Sequence, residues 1–116
     1  RQWRSIEIAL SSELIIVEAL RTIDRARLRL GLDDTEVAAR RSDVLGALAA
    51  LHLVPLVRRV LDRAAEPFPT LLGTLDAIHL ATATLLREER PTLVFATHDL
   101  ELGRAARAIG FRVLGA

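Results

Sequence analysis

Residues 92–99 read TLVFATHD, an almost wholly apolar run that ends in a polar turn. Such a run predicts a β-strand buried on both faces, which is typical of parallel sheets covered by helices. Asp99 follows this strand and precedes a helical pattern that starts at Leu100. Ligands of parallel α/β sheets bind beyond the carboxyl ends of the strands, so Asp99 is a candidate site residue. Asp99 is equally explained as the N-cap of the next helix, and one carboxylate can serve both roles.

On both sides of this run, the apolar period switches repeatedly between about 2 and about 3.6, as it does in alternating strands and helices. The predicted elements, in chain order, are a strand over residues 6–10, helices over residues 13–30 and 33–52, a strand within residues 51–57, helices over residues 57–66 and 75–89, a strand over residues 92–97, a helix over residues 101–110 and a strand over residues 111–114. The order β-α-α-β-α-α-β-α-β predicts an α/β fold with a mostly parallel sheet and helices on both of its faces.

Several residues mark where the predicted helices begin and end. Ser11 and Ser12 offer an N-cap to the first helix, and Gly31 ends that helix. Asp33 and Glu36 stand three residues apart in the pattern of a capping box. Thr74 is expected to cap the helix that follows it, and the two prolines of PFP at residues 67–69 predict a loop before that helix.

Composition limits the classes of protein to which the chain can belong. Its 116 residues, 51% of them apolar, are enough for one domain with a single core. All 16 basic residues are arginine, which suggests a GC-rich genome. With 15 acidic residues the net charge is only +1, so any nucleic-acid site must be a local basic patch. The absence of cysteine excludes disulfides and thiolate metal sites and fits a cytosolic protein. No apolar stretch approaches the roughly 20 residues of a membrane-spanning helix, so we expect a soluble, cytoplasmic protein.

Glu18 is the second candidate site residue. It lies in SSELIIVEALR (residues 11–21), among apolar neighbours at the edge of the apolar face of the predicted helix. A buried carboxylate without a partner is unfavourable by several kcal/mol, so a cation or an arginine should compensate it. The alternative is a surface ion pair between Glu18 and Arg21 or Arg25.

Asp76 is the third candidate, in GTLDAIHLATA (residues 73–83). It stands in the first turn of the predicted helix, where the helix dipole alone would favour an anion. Small residues around it would let the helix pack closely and leave room at its N-terminal end. If the fold brings Glu18, Asp76 and Asp99 together, a divalent cation would remove their mutual repulsion, and carboxylate oxygens suit Mg²⁺ or Mn²⁺.

Three strings of the chain resemble the PIN-domain ribonucleases, most closely the VapC-type toxins of bacterial toxin–antitoxin pairs. SSELIIVEALR resembles the second motif of the family, LDAIHLATA (residues 75–83) is similar to its most recognisable string, and THDLELGRAARAIGFRVL (residues 97–114) resembles its closing segment. The resemblance covers essentially all 116 residues. The middle string is moderately specific, and the other two are weak when taken alone.

The resemblance implies a three-layer α/β/α sandwich with a mostly parallel central sheet. It also implies an Mg²⁺- or Mn²⁺-dependent endoribonuclease, the toxin of a type II toxin–antitoxin system, with RNA as substrate, a small antitoxin as partner and a homodimer as assembly. Glu18, Asp76 and Asp99 would be the metal-binding and catalytic residues. Ser12 and Thr97 would support these carboxylates through hydrogen bonds.

One departure from the family concerns its first strand, which carries a further metal-binding aspartate. Nothing in residues 1–116 corresponds to this strand. We therefore expect residues 1–116 to form a single PIN-like domain that is incomplete at its N-terminal side, and any catalytic activity to belong to the intact protein.

Other polar residues have weaker claims to a function. Arg104 and Arg107, about one helical turn apart, are candidates to bind the RNA backbone, although a solvated helix face explains them equally well. His79 could ligate a metal, but a histidine on an apolar face is more often a core residue. His98 beside Asp99 suggests the His-Asp pair of an all-helical phosphohydrolase class, and the strand before it argues against that class.

Two other functions compete with the nuclease hypothesis. The first is a non-catalytic PIN-like module that binds RNA or a protein partner. The second is a receiver-like signalling domain, which requires a lysine late in the sheet, and the chain has no lysine. The receiver-like interpretation is therefore disfavoured.

Overall fold

The computed structural model describes residues 8–116 of the chain. The elements are β1 (Leu10–Ser12), α1 (Leu14–Leu30), α2 (Asp34–Ala49), β2 (His52–Val54), α3 (Arg58–Ala65), α4 (Thr74–Glu89), β3 (Phe95–Ala96), α5 (Leu100–Ala108) and β4 (Val113–Leu114). Their order is the predicted one, and the parallel pairing of the strands confirms the α/β class. The chain divides into two compact units, whose described parts are residues 8–55 and residues 56–116. None of the helices in the described part of the chain is both long and apolar enough to cross a membrane.

In residues 8–55, two helices connect a pair of parallel strands. β1 and β2 pair in register, with Leu10 opposite His52 and Ser12 opposite Val54. Parallel strands need a long crossover, which α1 and α2 supply, and these two helices pack against each other. The predicted strand over residues 6–10 is wrong in its bounds, because pairing with the three residues of β2 selects residues 10–12. Residues 6 and 7 of that prediction lie outside the described residues.

The predicted boundaries of α1 agree closely with the structure. Ser12 Oγ accepts a hydrogen bond from the Leu14 N–H at 3.2 Å, which satisfies one of the N–H groups that a helix start leaves unpaired. Ser11 Oγ instead donates to the Ser12 carbonyl at 3.1 Å, and the N-cap is Glu13, so the prediction of Ser11 or Ser12 as the N-cap is wrong: pairing with β2 keeps both serines in β1. Gly31 ends the helix with φ 62°, as predicted.

The starts of α2 and α4 differ in how well the sequence predicts them. The capping box of α2 is confirmed: Asp33 Oδ1 accepts from the Glu36 N–H at 2.8 Å, and Glu36 Oε1 accepts from the Asp33 N–H at 3.3 Å. The prediction that Thr74 caps α4 is wrong, because Gly73 occupies the N-cap with extended backbone and Thr74 is the first helical residue. The helix begins one residue before its predicted start, because the Gly73 carbonyl accepts a hydrogen bond from the Ala77 N–H at 2.9 Å.

One apolar cluster forms the core of residues 56–116. Its buried members are Leu80, Phe95, Leu102, Ala105, Ala106 and Phe111. Ala105 and Ala106 of α5 have no exposed surface, so this face of the helix packs closely on its neighbours. The Phe95 and Phe111 rings lie with their centroids 5.8 Å apart at an interplanar angle of 48°, a favourable tilted arrangement. The cluster thus joins α4 and α5 to both strands of this unit.

β3 is shorter than the apolar run that predicted it. Only Phe95 and Ala96 pair, in parallel, with Val113 and Leu114 of β4. Phe95 is buried but Ala96 is exposed, so the prediction of a strand buried on both faces is wrong at Ala96. Within residues 8–116, β4 is the one strand that pairs with β3, and a strand with a single neighbour is covered less than a central strand.

Arg87 ties the C-terminal part of α4 to the segment between α5 and β4. Its Nη1 donates to the Ile109 carbonyl at 2.9 Å. Its guanidinium carbon lies 4.0 Å from the centroid of the Phe111 ring, a cation–π contact. The side chain is half-buried, so the protein screens both contacts from water in part. The end of α4 opposite to Asp76 is therefore held in place.

Candidate functional site

Asp99 stands between β3 and α5, where the sequence predicts it. Its backbone is extended, with φ −78° and ψ 119°, and its Oδ1 accepts from the Leu102 N–H at 3.0 Å. The predicted capping role is therefore confirmed. The side chain is exposed. The cap bond uses Oδ1, and a carboxylate has a second oxygen, Oδ2, with lone pairs of its own.

Thr97 shapes the turn that leads from β3 to Asp99. Its Oγ1 accepts from the Asp99 N–H at 3.1 Å, and its own N–H donates to the Leu114 carbonyl at 3.0 Å. The hydroxyl thus supports Asp99 through the main chain, in the manner of a local side-chain turn. The predicted hydrogen bond from this hydroxyl to a metal-binding carboxylate stays a prediction.

Asp76 lies in the first turn of α4 and is half-buried. The positive end of the helix dipole favours a carboxylate at this place. Ala77 beside it and Leu80 one turn later are buried, so Asp76 borders the core of residues 56–116. Of the other small residues that the sequence places near it, Ala81 and Thr82 are buried, Ala83 is half-buried and Gly73 is exposed.

Asp76 and Asp99 share one structural support. Each stands at the N-terminal end of a helix, and each of these helices inserts a leucine into the same apolar cluster: Leu80 from α4 and Leu102 from α5. Leu102 also provides the N–H that Asp99 caps. The packing of this cluster therefore fixes the positions of the two helix starts that carry these carboxylates.

Glu18 lies in the middle of α1 and is half-buried, in agreement with its predicted place at the edge of the apolar face. The two arginines considered as its surface partners make other contacts. Arg21 Nη1 lies 3.6 Å from an Asp24 carboxylate oxygen, and Arg25 Nη2 donates to Thr22 Oγ1 at 3.1 Å. The same Thr22 hydroxyl donates to the main-chain carbonyl of Glu18 at 2.9 Å.

The predicted site residues are distributed over both units of the chain. Ser12, which is only 2% exposed, and Glu18 belong to residues 8–55, and Thr97, Asp76 and Asp99 belong to residues 56–116. Among residues 8–116, the structure contains no group of three or more histidine, aspartate or glutamate side chains that could hold a metal ion. The predicted three-carboxylate site stays a prediction.

The basic candidates lie on α4 and α5. Arg104 and Arg107 are exposed on α5, and Arg107 Nη2 donates to the main-chain carbonyl of Ala116. Arg104 is therefore the better placed of the two to bind a ligand from solution. His79 is half-buried on α4, which fits its interpretation as a core residue.

Gly115 was not among the predicted site residues, although it adjoins the turn that carries Asp99. It has φ +91°, and a Cβ added to it would lie 2.7 Å from the Thr97 carbonyl oxygen. His98 Nδ1 lies 3.3 Å from the Gly115 carbonyl oxygen. The available signal is a glycine directly after a predicted strand, which often marks a close backbone approach.

Comparison with known proteins places these residues in a family context. The PIN-domain family model matches residues 1–108. Ribonuclease VapC46 of Mycobacterium tuberculosis strain H37Rv is 40% identical over 90 residues, which are 78% of this chain and 67% of that protein. Ribonuclease VapC47 of Mycobacterium tuberculosis strain CDC 1551 is 38% identical over 64 residues, 55% of this chain and 46% of that protein. No solved structure gives a significant match.

Proposed function

Because the chain belongs to the PIN-domain family, we propose that the intact protein is a Mg²⁺- or Mn²⁺-dependent endoribonuclease that hydrolyses RNA phosphodiesters. The ribonuclease names of the two similar proteins support this proposal. The observation that carries it is the placement of Asp76 and Asp99 at the starts of two helices that one core cluster anchors. A rigid support of this kind is what a site for metal-assisted hydrolysis needs.

The donor chemistry of Glu18, Asp76 and Asp99 fits a hard divalent cation. The three side chains offer carboxylate oxygens alone, which suit Mg²⁺ or Mn²⁺ better than zinc or copper. Such an ion, when bound, polarises a phosphate and lowers the pKa of an attacking water. We propose that these three carboxylates hold it.

The remaining residues position the carboxylates and the substrate. Thr97 fixes the main chain at Asp99, and the Leu102 N–H holds one oxygen of its carboxylate. The exposed Arg104 guanidinium is available to bind a backbone phosphate of RNA. No side-chain nucleophile is needed, so the hydroxyls of Ser12 and Thr97 have supporting roles.

The biological setting is part of the same proposal. The similarity to VapC-type proteins supports a toxin role in a type II toxin–antitoxin system, in which a small cognate antitoxin protein inhibits the nuclease. We expect the protein to act as a cytoplasmic homodimer, since the resemblance implies a dimer and a chain without cysteine suits a reducing compartment.

The test is cleavage of total RNA by the intact protein, with Mg²⁺ or Mn²⁺ and with a chelator, beside an Asp76→Asn variant. We expect the added metal to support cleavage, the chelator to stop it and the variant to lose most of it, because asparagine keeps the shape of the side chain but lacks the charge that binds the cation. Equal cleavage by both proteins, or none by either, would contradict the nuclease proposal and favour a non-catalytic module that binds RNA or a protein.

A neutral substitution at His79 should have a much smaller effect than Asp76→Asn. His79 is half-buried on α4, three residues after Asp76, and we interpret it as a packing residue. We expect His79→Gln to change the Mn²⁺ dissociation constant, measured by calorimetry, by less than about threefold, since a packing residue neither ligates the ion nor orients a ligand, unlike the outer partners whose loss costs about 10- to 100-fold. Loss of Mn²⁺ binding in His79→Gln would make His79 a ligand.

A further inference from the structure

We propose that Gly115 is a positioning residue for the Asp99 carboxylate. Its missing side chain lets the segment after β4 lie directly against the main chain of the turn at residues 97–98, and this contact sets the direction in which Asp99 leaves β3. The inference rests on the proposed function only in that Asp99 is taken there as a metal ligand. The contact itself is independent of that role.

The approach at Gly115 leaves no space for a side chain. A Cβ at this position would lie 2.7 Å from the Thr97 carbonyl oxygen, 3.3 Å from the Thr97 carbonyl carbon and 3.2 Å from His98 Nδ1. Two of these three atoms are main chain and cannot rotate away. The backbone φ of +91° is a second reason why an L side chain is disfavoured here.

Hydrogen bonds hold the two segments at this separation. The Phe95 N–H donates to the Arg112 carbonyl at 2.9 Å, and the Thr97 N–H donates to the Leu114 carbonyl at 3.0 Å. His98 Nδ1 lies 3.3 Å from the Gly115 carbonyl oxygen, and because a carbonyl only accepts, this bond requires a proton on Nδ1. The segment from Arg112 to Gly115 thus clamps the chain up to His98, one residue before Asp99.

Two further hydrogen bonds connect the segment held by residues 112–115 to the Asp99 carboxylate. Thr97 Oγ1 accepts the Asp99 N–H at 3.1 Å, and Asp99 Oδ1 accepts the Leu102 N–H at 3.0 Å. We expect a displacement of the segment at residues 97–98 away from Gly115 to change the geometry of both bonds, because it carries Thr97 Oγ1 and the chain that leads into Asp99. The buried Leu102 stays in the core, so the displacement falls on Asp99.

The size of the displacement is sufficient to matter. Moving the Thr97 carbonyl oxygen from 2.7 Å to an ordinary contact distance of 3.4 Å requires a shift of roughly 0.7 Å, which exceeds the tolerance of about 0.5 Å for a productive catalytic group. Misplacement by about 1 Å can lower a rate by about 100-fold. We therefore expect a tenfold to 100-fold loss of activity in Gly115→Ala, by order of magnitude.

The chain offers a closely matched control in Gly110, which belongs to the same unit. Gly110 has φ +94°, so Gly110→Ala introduces the same backbone conflict, but its Cβ would meet only Arg87 Nη1, at 3.6 Å. The end of the Arg87 side chain can adjust, whereas the Thr97 main chain cannot. A difference between the two alanine variants therefore reports the contact at Thr97 and not the positive φ.

The experiment compares wild type, Gly115→Ala and Gly110→Ala in the intact protein. The readouts are hydrogen exchange of the Leu102 amide by NMR without metal, the Mn²⁺ dissociation constant by calorimetry, and kcat and KM for RNA cleavage. In Gly115→Ala we expect the Leu102 amide to exchange faster by about tenfold than in Gly110→Ala, because its cap is weakened. Mn²⁺ binding should weaken, and at saturating Mn²⁺ kcat should fall while KM for RNA stays within about threefold, since the arginine proposed to bind the RNA backbone is unchanged.

Equal Leu102 exchange and equal Mn²⁺ affinity in the two alanine variants would overturn the inference. If wild type cleaves no RNA, the proposed function fails while the exchange of Leu102 still tests the positioning role. If Gly115→Ala does not fold, His98→Ala replaces it, because this variant removes the bond to the Gly115 carbonyl without adding an atom. An unchanged Leu102 amide in His98→Ala would then count against the clamp, and faster exchange would support it.

Discussion

We expect Asp99→Asn to lower kcat for RNA cleavage by at least about 100-fold, since loss of a group that only orients a metal ligand already costs about 10- to 100-fold. The structure explains why this variant should remain folded. Asp99 caps α5 through one side-chain oxygen at 3.0 Å from the Leu102 nitrogen, and asparagine caps helices as well as aspartate does. The remaining effect on the free energy of unfolding is the lost interaction with the helix dipole, about 0.3–1 kcal/mol.

Asp33→Asn is the matched control for this prediction. Asp33 is also an exposed N-cap with extended backbone, and its Oδ1 accepts from the Glu36 N–H at 2.8 Å. The two variants therefore make the same chemical change in the same local structure, and only Asp99 is proposed to bind metal. RNA cleavage assays and urea denaturation of both variants separate the roles. Activity of Asp99→Asn close to that of Asp33→Asn would remove Asp99 from the mechanism.

We expect Leu80→Ala to destabilise the protein by about 2–5 kcal/mol, the usual range for truncating a buried leucine to alanine. Leu80 has no exposed surface and belongs to the core cluster of residues 56–116. The loss combines the transfer free energy of the removed methyl groups with the cavity left behind. A change of this size is a large fraction of the stability of a small domain, and the urea midpoint should fall accordingly.

Leu71→Ala controls for the chemical change alone. Leu71 is 98% exposed in the loop before α4. Leu71→Ala therefore makes the same leucine-to-alanine change without leaving a cavity. We expect its free energy of unfolding to stay within about 0.5 kcal/mol of wild type, as for most surface substitutions. Equal destabilisation by the two variants would mean that Leu80 does not anchor the core.

Elements with strong local signals were predictable from the sequence. The capping box of Asp33 and Glu36 and the end of α1 at Gly31 depend on residues close in the chain, and the structure confirms both. The length of β3 was not predictable, because pairing with Val113 and Leu114 limits it to two residues. The N-cap of α4 is Gly73 instead of Thr74 because of a main-chain hydrogen bond that no residue type predicts.

The same difference between local signals and long-range contacts applies to the candidate site. The capping role of Asp99 follows from an aspartate between a strand and a helix, and the structure confirms it. The support of that turn by Gly115 brings together segments that are far apart in the sequence, so no local pattern encodes it. Convergence of Glu18 with Asp76 and Asp99 likewise depends on contacts between distant segments, and it stays a prediction.

The contacts of Arg87 bear on why the chain uses arginine alone as its basic residue. The central carbon of its guanidinium lies over the Phe111 ring, 4.0 Å from the centroid, while Nη1 of the same group donates to the Ile109 carbonyl at 2.9 Å. A lysine ammonium carries the same charge but has neither a stacking face nor a fork of fixed N–H directions. Arg87 is thus a position where charge alone would not suffice, and lysine could keep at most one of the two contacts that fasten the end of α4.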